Sequence, residues 1–302
     1  MQLQRNIRSG IVGVTLGIWM IPLLWMSWEG MPGMRAAVAQ GNSQAALDWV
    51  NRGLGSIQAG QVSEAIAAFR QAAQLDPTLA VAHYNLGLAL RQSGELQGAA
   101  DSFYQATQAD PSFTLAFANL GAALIEGNNL DRARDYLQRA IALDPQMGLA
   151  HYNLGLVLEQ QQLWDAAAAS FQQAMQYSPT TPEPPYHLGL VYLEQGKLEA
   201  AKSAFNRAVG ITPTHAPAHY HLGFIAYNQG DLNGALDSFR RAAEGNANYA
   251  NAYYGAGLVF MRQGNFTEAQ RVLEYARDLY TLEGNAERAM NAERLLERSR
   301  NP

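Results

Sequence analysis

The sequence of 302 residues contains no cysteine. It therefore has no disulfide bond, no thiol nucleophile and no cysteine-ligated metal, and its redox compartment stays undecided. Phosphate-binding loops, nucleophile elbows, zinc-protease motifs and dinucleotide fingerprints are also missing from it. Because these motifs are missing, we expect no cofactor. Because the 21 basic and 26 acidic residues nearly balance and the basic ones form no stripe, we also expect no nucleic-acid partner.

What the sequence does contain is one pattern that recurs every 34 residues. The phrase AHYNLGL occurs at 82–88 and again at 150–156. A glycine stands at the same place in every unit: Gly53, Gly87, Gly121, Gly155, Gly189, Gly223 and Gly257. An alanine follows 12 residues after each glycine and a phenylalanine or leucine 16 residues after it, and a proline closes five of the units. A repeat of this length indicates stacked supersecondary units.

Each unit has the pattern of two helices. In the second unit, Leu86 and Leu90 lie on one apolar stripe, and Gly94 interrupts it. A second stripe runs through Phe103 and ends before Pro111, because the residue that precedes a proline is disfavoured in a helix. We expect the glycines and alanines to lie where the two helices approach closely, with phenylalanine filling the space between them. One such hairpin cannot bury its apolar face alone, so neighbouring units must stack.

This pattern resembles the tetratricopeptide repeat (TPR) family. The resemblance implies an all-α fold, a right-handed α-solenoid of helix-turn-helix units. Length alone would suggest two domains, but the resemblance implies one elongated array instead. We predict seven units, at 46–79, 80–113, 114–147, 148–181, 182–215, 216–249 and 250–283. Residues 40–45 are then a short polar linker, and residues 284–302 carry a C-terminal helix that caps the last unit.

Two departures from the family pattern carry structural expectations. Asn128 and Gln162 replace glycine in the turns between the helices of the third and fourth units, so we expect those turns to be less regular. Proline is tolerated only in the first turn of a helix. The prolines that crowd the entry to the fifth unit are therefore either a rigid joint between units 1–4 and 5–7 or an ordinary loop between repeats. These are Pro179, Pro182, Pro184 and Pro185.

Residues 1–39 differ in character from the rest of the chain. Arg5 and Arg8 precede an uncharged, largely apolar stretch at 9–28 that is long enough to span a bilayer. Residues 37–39, Ala-Val-Ala, match a signal-peptidase site, so the segment is either a cleaved signal peptide or a retained single-span membrane anchor. Both alternatives send the repeats across the membrane of a bacterium or cyanobacterium, into the periplasm, cell envelope or thylakoid lumen.

The TPR resemblance implies a concave surface lined by the first helix of each unit. One position there carries the tyrosines Tyr84, Tyr152, Tyr186, Tyr220 and Tyr254. The next position carries the polar residues Asn51, Asn85, Asn119, Asn153, His187 and His221. Asparagine donates and accepts at once, so such a ladder can bind the backbone of an extended peptide, and tyrosine adds rigid apolar area. The alternative is that these side chains hold neighbouring repeats together.

Two other kinds of site are not expected. Some TPR proteins grip the acidic terminus of chaperones with basic residues at the second, fifth and sixth positions of a unit, and none stands there in this sequence. A carboxylate-clamp co-chaperone is therefore disfavoured. His215, His219 and His221 lie near one another in sequence, but His219 and His221 point in different directions on one helix. His219 shares its repeat position with His83 and His151, which indicates packing rather than metal binding.

These patterns predict a non-enzymatic scaffold, exported or tethered to the membrane, that binds a protein or an extended peptide segment through its concave groove. The main alternative is an accessory module of an envelope enzyme, such as a substrate-recruiting arm of a glycosyltransferase. A ligand- or metal-binding envelope protein is a weaker third alternative.

Overall fold

The computed structural model describes residues 42–300, which form fifteen helices and no strand. The first helices of the units are α1 Asn42–Gln58, α3 Ala80–Gln92, α5 Thr114–Glu126, α7 Gly148–Gln160, α9 Glu183–Glu194, α11 Ala216–Gln229 and α13 Ala250–Gln263. The second helices are α2 Val62–Leu75, α4 Leu96–Ala109, α6 Leu130–Leu143, α8 Trp164–Tyr177, α10 Leu198–Ile211, α12 Leu232–Gly245 and α14 Phe266–Leu282. Helix α15, Ala286–Arg300, follows them. The predicted all-α solenoid is confirmed.

The repeats make one array rather than two domains, because residues 44–300 belong to a single compact unit. The signal peptide or anchor predicted at 1–39 lies outside the described residues. Within 42–300, no helix combines the length and the apolar composition that crossing a bilayer requires.

The glycine that repeats through the units lets the two helices of each unit approach closely. A Cβ added to Gly189 would lie 2.5 Å from the ring of Phe205, which is fully buried. At the other six repeated glycines, the nearest side-chain atom would lie 2.5–2.7 Å away. Leu137 and Leu273 take the place of the phenylalanine in units 3 and 7. The predicted close approach, filled by a large apolar side chain, is confirmed.

The turns of units 3 and 4 are as regular as the others. Asn128 and Gln162 adopt the left-handed conformation of the glycines that they replace, with φ values of 57° and 59°. The N–H of Leu163 donates to the carbonyl of Leu158 at 2.9 Å, which is the bond that closes the same turn in the glycine-containing units. The expectation of less regular turns is therefore wrong. The turn and the packed helices hold these residues in a conformation that L-residues disfavour by about 1–2 kcal/mol.

The first helix begins earlier than the sequence predicted. Helix α1 starts at Asn42, so residues 42–45, which we expected to belong to a linker at 40–45, are helical. The alanines at 45–46 favour a helix, and the side-chain amide of Gln44 donates to Asp48 Oδ1 at 3.1 Å, one turn later. The polar side chains suggested a linker, but they lie on a helix surface.

The prolines before unit 5 fit the start of a helix. Pro182 precedes α9, and Pro184 and Pro185 lie in its first turn, where the missing N–H of proline has no helical partner to lose. All three are buried. Helix α9 packs on α8 and contacts α7, as the other first helices pack on the second helix of the unit before them. A rigid joint at this place stays a prediction.

Helix α15 packs against α14. Ala292 and Leu296 are fully buried against α14, and Arg277 of α14 pairs with Glu293 of α15 at 2.9 Å. On the opposite face of α15, Glu287, Met290, Arg294 and Glu297 are exposed.

First helices of successive units also contact one another, as α5 does with α7, α7 with α9, and α11 with α13. The array therefore curves, and its first helices lie on the concave side. The side chains of the first helices that point away from the second helices line this concave face.

We expect Gly189→Ala to lower the free energy of unfolding. The added methyl group meets the ring of Phe205, and overpacking of a filled core costs about 1–3 kcal/mol. Gly210→Ala is the matched control, because Gly210 also lies in a helix and a Cβ there would meet no atom within 4 Å. That control should stabilise the protein by about 0.5–1 kcal/mol. Thermal and urea unfolding measure both. Equal stability of the two variants would contradict the tight helix contact.

Candidate ligand-binding groove

The predicted tyrosines are half-buried and pack on their own units. The ring centroids of Tyr84 and Phe103 lie 5.8 Å apart, and those of Tyr186 and Phe205 lie 5.9 Å apart. Burial raises the pKa of Tyr84 to about 12 and also raises the pKa of Tyr186 above its usual value. These phenols therefore keep their O–H donors at neutral pH.

The tyrosines form an uninterrupted file only in the second half of the array. Buried Val50 and Ala118 occupy the tyrosine position in units 1 and 3. Units 4–7 carry Tyr152, Tyr186, Tyr220 and Tyr254 in succession. We call the inner face of α7, α9, α11 and α13 that carries these four residues the tyrosine groove.

The asparagines beside the tyrosines are largely engaged inside the protein. Asn51 is exposed, but Asn119 is only 6% exposed. Its side-chain amide donates to the carbonyl of Leu115 at 2.9 Å and to the hydroxyl of Tyr84, in the preceding unit, at 3.3 Å. The amide of Asn85 donates to its own helix, to the carbonyl of Val81, at 2.9 Å. An internal hydrogen bond thus occupies a donor that a peptide backbone would need.

Asn153 is likewise only 6% exposed, and its amide nitrogen has no hydrogen-bond partner. The tyrosine hydroxyl that accepts from Asn119 has no counterpart here, because Ala118 stands at the tyrosine position of the preceding unit. Asn119 and Asn153 therefore do not present free amides of the kind that the sequence suggested, since both side chains are buried.

His187 and His221 stack on phenylalanines of the preceding units. The centroids of His187 and Phe171 lie 5.5 Å apart at 27°, and those of His221 and Phe205 lie 5.1 Å apart at 9°. Burial lowers the pKa of His221 to about 4. Each imidazole thus joins two repeats, and only its edge is left for the groove.

The histidines one position before the tyrosine position contact the loops between repeats. The ring Nε2–H of His83, His151 and His219 donates to the carbonyl of the proline six residues earlier, at 2.8–2.9 Å. The packing role predicted for His219 is confirmed. Among residues 42–300, no group of three histidine, aspartate or glutamate side chains is arranged to hold a metal ion.

Two carboxylates in the tyrosine groove were missed by the sequence reasoning. The Nδ1–H of His187 donates to Glu159 Oε2 at 2.8 Å across α7 and α9. Glu183 lies one turn before His187, and burial raises the pKa of its carboxyl. Both carboxylates act electrostatically on Tyr152 and raise the pKa of its phenol. The available signal was that Glu183 is the only acidic residue at the second position of a unit.

The cap helix closes the C-terminal end of the groove. Arg288 of α15 donates through Nη1 to Asn251 Oδ1 at 3.0 Å, and the hydroxyl of Tyr280 donates to the same oxygen at 2.7 Å. The guanidinium of Arg288 also lies 5.9 Å from the ring centroid of Tyr280. This arginine is therefore engaged by the protein itself.

Residues 29–253 match the family model of TPR type that is described as the cilia and flagella-associated protein 70 C-terminal domain. The chain belongs to this TPR family. This agrees with the predicted resemblance. No curated protein matches this TPR chain.

Several solved structures resemble this TPR chain. YrrB, described as a TPR protein with an unusual peptide-binding site, is 25% identical over 65% of this chain and 100% of its own, with a TM-score of 0.51. PilF of Pseudomonas aeruginosa is 20% identical over 70% of this chain and 97% of its own, with a TM-score of 0.61. A TPR protein from Parabacteroides merdae is 17% identical over 85% and 99%, with a TM-score of 0.62. The last two likenesses show the fold alone.

We expect the burial of His221 to make the protein less stable in acid. Its pKa is lowered on folding from 6.5 to about 4, so the unfolded chain binds the proton first as the pH falls. The stabilising contribution is complete above pH 6.5 and is lost between about 6.5 and 4, by at most about 3 kcal/mol. His221→Asn, which restores the residue type of units 2–4, should remove this part of the pH dependence.

Urea unfolding of both proteins at pH 7 and pH 4 measures the difference. Wild type should lose more stability than His221→Asn over this interval. Parallel losses in the two proteins would show that His221 is not a buried, neutral packing residue.

Proposed function

We propose that this TPR protein is an interaction scaffold that holds an extended segment of a partner protein in the tyrosine groove. The observation that carries the proposal is the uninterrupted file of half-buried tyrosines in units 4–7, which the first half of the array lacks. Concave faces of solenoids are their usual binding surfaces. Each phenol supplies rigid apolar area at low entropic cost together with a hydroxyl group.

A second row of side chains supports the same surface. Phe224 lies one turn after Tyr220 on α11, and the two ring centroids are 6.5 Å apart. The equivalent residues of the neighbouring first helices are Leu156, Leu190 and Leu258, and all four side chains are half-buried. Half-buried apolar side chains along a groove offer area that a bound segment covers. The similarity to YrrB, at 25% identity, supports peptide binding as the mode.

The predicted tyrosine, asparagine and histidine positions do not contribute equally to binding. We propose that tyrosines and apolar side chains of units 4–7 make the main contacts. Asn51 and Asn85 lie outside this groove, and Asn119 and Asn153 are buried, with Asn119 bonded to Tyr84 of the preceding unit. His187 and His221 contribute only their edges.

Site-specific photo-crosslinking tests the location of the binding face. A benzoylphenylalanine at position 224, in the tyrosine groove, should form a covalent adduct with a partner in cells that produce the protein. The same photo-reactive residue at Tyr104 is the control, because Tyr104 is an exposed aromatic residue on the second helix α4. We expect adducts at 224 and none of the same mass at 104. Adducts at 104 alone would move the binding face away from the groove.

We further propose that residues 1–39 direct the repeats across a membrane, with the positively charged end left on the cytoplasmic side. A cleaved signal peptide would leave Gln40 as the first residue, and carbonate would wash the protein off membranes. A retained anchor would keep Arg5 and Arg8 and resist carbonate. N-terminal sequencing of membrane and soluble fractions distinguishes the two. Recovery of the protein with residues 1–39 intact in the cytoplasmic fraction alone would contradict export.

A further inference from the structure

Glu183 places a carboxylate oxygen without a hydrogen-bond partner at the beginning of α9. Its Oε2 is covered by the protein and accepts no hydrogen bond. The residue is half-buried, and neither arginine nor lysine is among the groups that act on its carboxyl. A backbone hydrogen bond and the nearby His187 lower the pKa of this carboxyl less than burial raises it, so the charge is only partly compensated and a cationic partner would stabilise it.

The surroundings of Glu183 are suited to a positive charge. His187 follows one turn later on α9 and engages Glu159 of α7 through the 2.8 Å hydrogen bond. The ring centroids of Tyr152 and His187 lie 5.7 Å apart. The carboxylates of Glu159 and Glu183 both raise the pKa of the Tyr152 phenol. An aromatic face beside carboxylates is the setting in which guanidinium and ammonium groups bind.

Two arginines near the inner face are already engaged by the protein. Arg91 of α3 forms an ion pair with Glu126 of α5, in the first half of the array. Arg288 is held by Asn251 at the C-terminal end. No arginine or lysine of residues 42–300 forms an ion pair with Glu159 or Glu183, and the only cation-forming partner of Glu159 is His187. The tyrosine groove thus carries a local negative charge between units 4 and 5.

We propose that Glu183, together with Glu159 and Tyr152, receives an arginine or lysine side chain of the segment bound in the tyrosine groove. This inference rests on the proposed function and adds to it the chemistry of one side chain of the partner. The cation would pair with the half-buried carboxylate of Glu183, lie against Tyr152, and face the negative field of Glu159.

Charge-assisted pairing of this kind should give a measurable selectivity. A hydrogen bond to a charged group in a partly covered site changes affinity by about ten- to hundredfold. We therefore expect a peptide that contains arginine to bind about ten- to hundredfold more tightly than the same peptide with citrulline, which keeps the shape and loses the charge. The selectivity should fall with added salt less steeply than that of an exposed ion pair, because the site is partly buried.

Selection from a random linear peptide library displayed on phage tests the inference with the full chain. The library is selected on wild type, on the double variant Glu159→Gln/Glu183→Gln, and on the control Glu64→Gln/Glu297→Gln. Glu64 and Glu297 are exposed on α2 and α15, so the control changes the net charge equally and leaves the groove intact. Enriched peptides are then synthesised with arginine or citrulline, and their affinities are measured by isothermal titration calorimetry.

We expect wild type and the control to enrich peptides with arginine or lysine at one fixed position, and the double variant to lose that preference. Enrichment of peptides without a cationic position would overturn the inference and leave the proposed function standing. A cationic preference that survives in the double variant would also overturn it. If no peptide is enriched on wild type, the proposed function fails, and the inference fails with it.

Stability supplies a second readout that does not depend on a peptide. If Glu183 is kept for binding, Glu183→Gln should raise the melting temperature at pH 7, because it removes a charge whose burial is unfavourable. The gain should shrink towards pH 4, where the raised pKa leaves the wild-type carboxyl protonated in the folded protein. A lower melting temperature of Glu183→Gln at pH 7 would show that the carboxylate is a structural partner instead.

Discussion

The close contact between a glycine and a large apolar side chain, made once in every unit, sets the geometry of the whole array. At Gly189 no Cβ fits beside the buried ring of Phe205, so the two helices of the unit lie at a fixed and short distance. Since the next unit packs on this pair, the separation within one unit also determines where the following first helix lies. The spacing of the first helices along the inner face is therefore set by seven equivalent contacts in the core, and the shape of the groove follows from that spacing.

The position after each tyrosine shows how strongly packing between repeats constrains the groove. Units 5 and 6 place His187 and His221 against the phenylalanine of the unit before. In unit 7 the same position is Gly255, where an added Cβ would lie 2.6 Å from the ring of Phe239. Asn119, His187, His221 and Gly255 therefore all pack against the preceding unit at this position. Ligand contacts are left to the neighbouring tyrosines and to residues further along each helix.

The 34-residue period was sufficient to predict the fold, because glycine, alanine and phenylalanine recur for reasons of close packing that any two stacked hairpins share. It could not predict the turns at Asn128 and Gln162, since the tertiary contacts hold a conformation that the isolated residues disfavour. The start of α1 at Asn42 was also missed, because the polar residues there suggested a linker. In the groove, the position of the tyrosines followed from the repeat. The pairing of His187 with Glu159 did not, because it joins residues 28 positions apart that no periodic pattern relates.

The partial burial of the groove tyrosines shifts the ionisation of their hydroxyls to higher pH. The pKa values of Tyr152, Tyr186 and Tyr220 are raised mainly because burial disfavours the phenolate. In alkaline solution these rings therefore lose their protons at a higher pH than exposed tyrosines such as Tyr104 and Tyr275. Tyrosinate absorbs at longer wavelength than tyrosine, so an ultraviolet titration of the protein separates the tyrosines of the groove from the exposed ones.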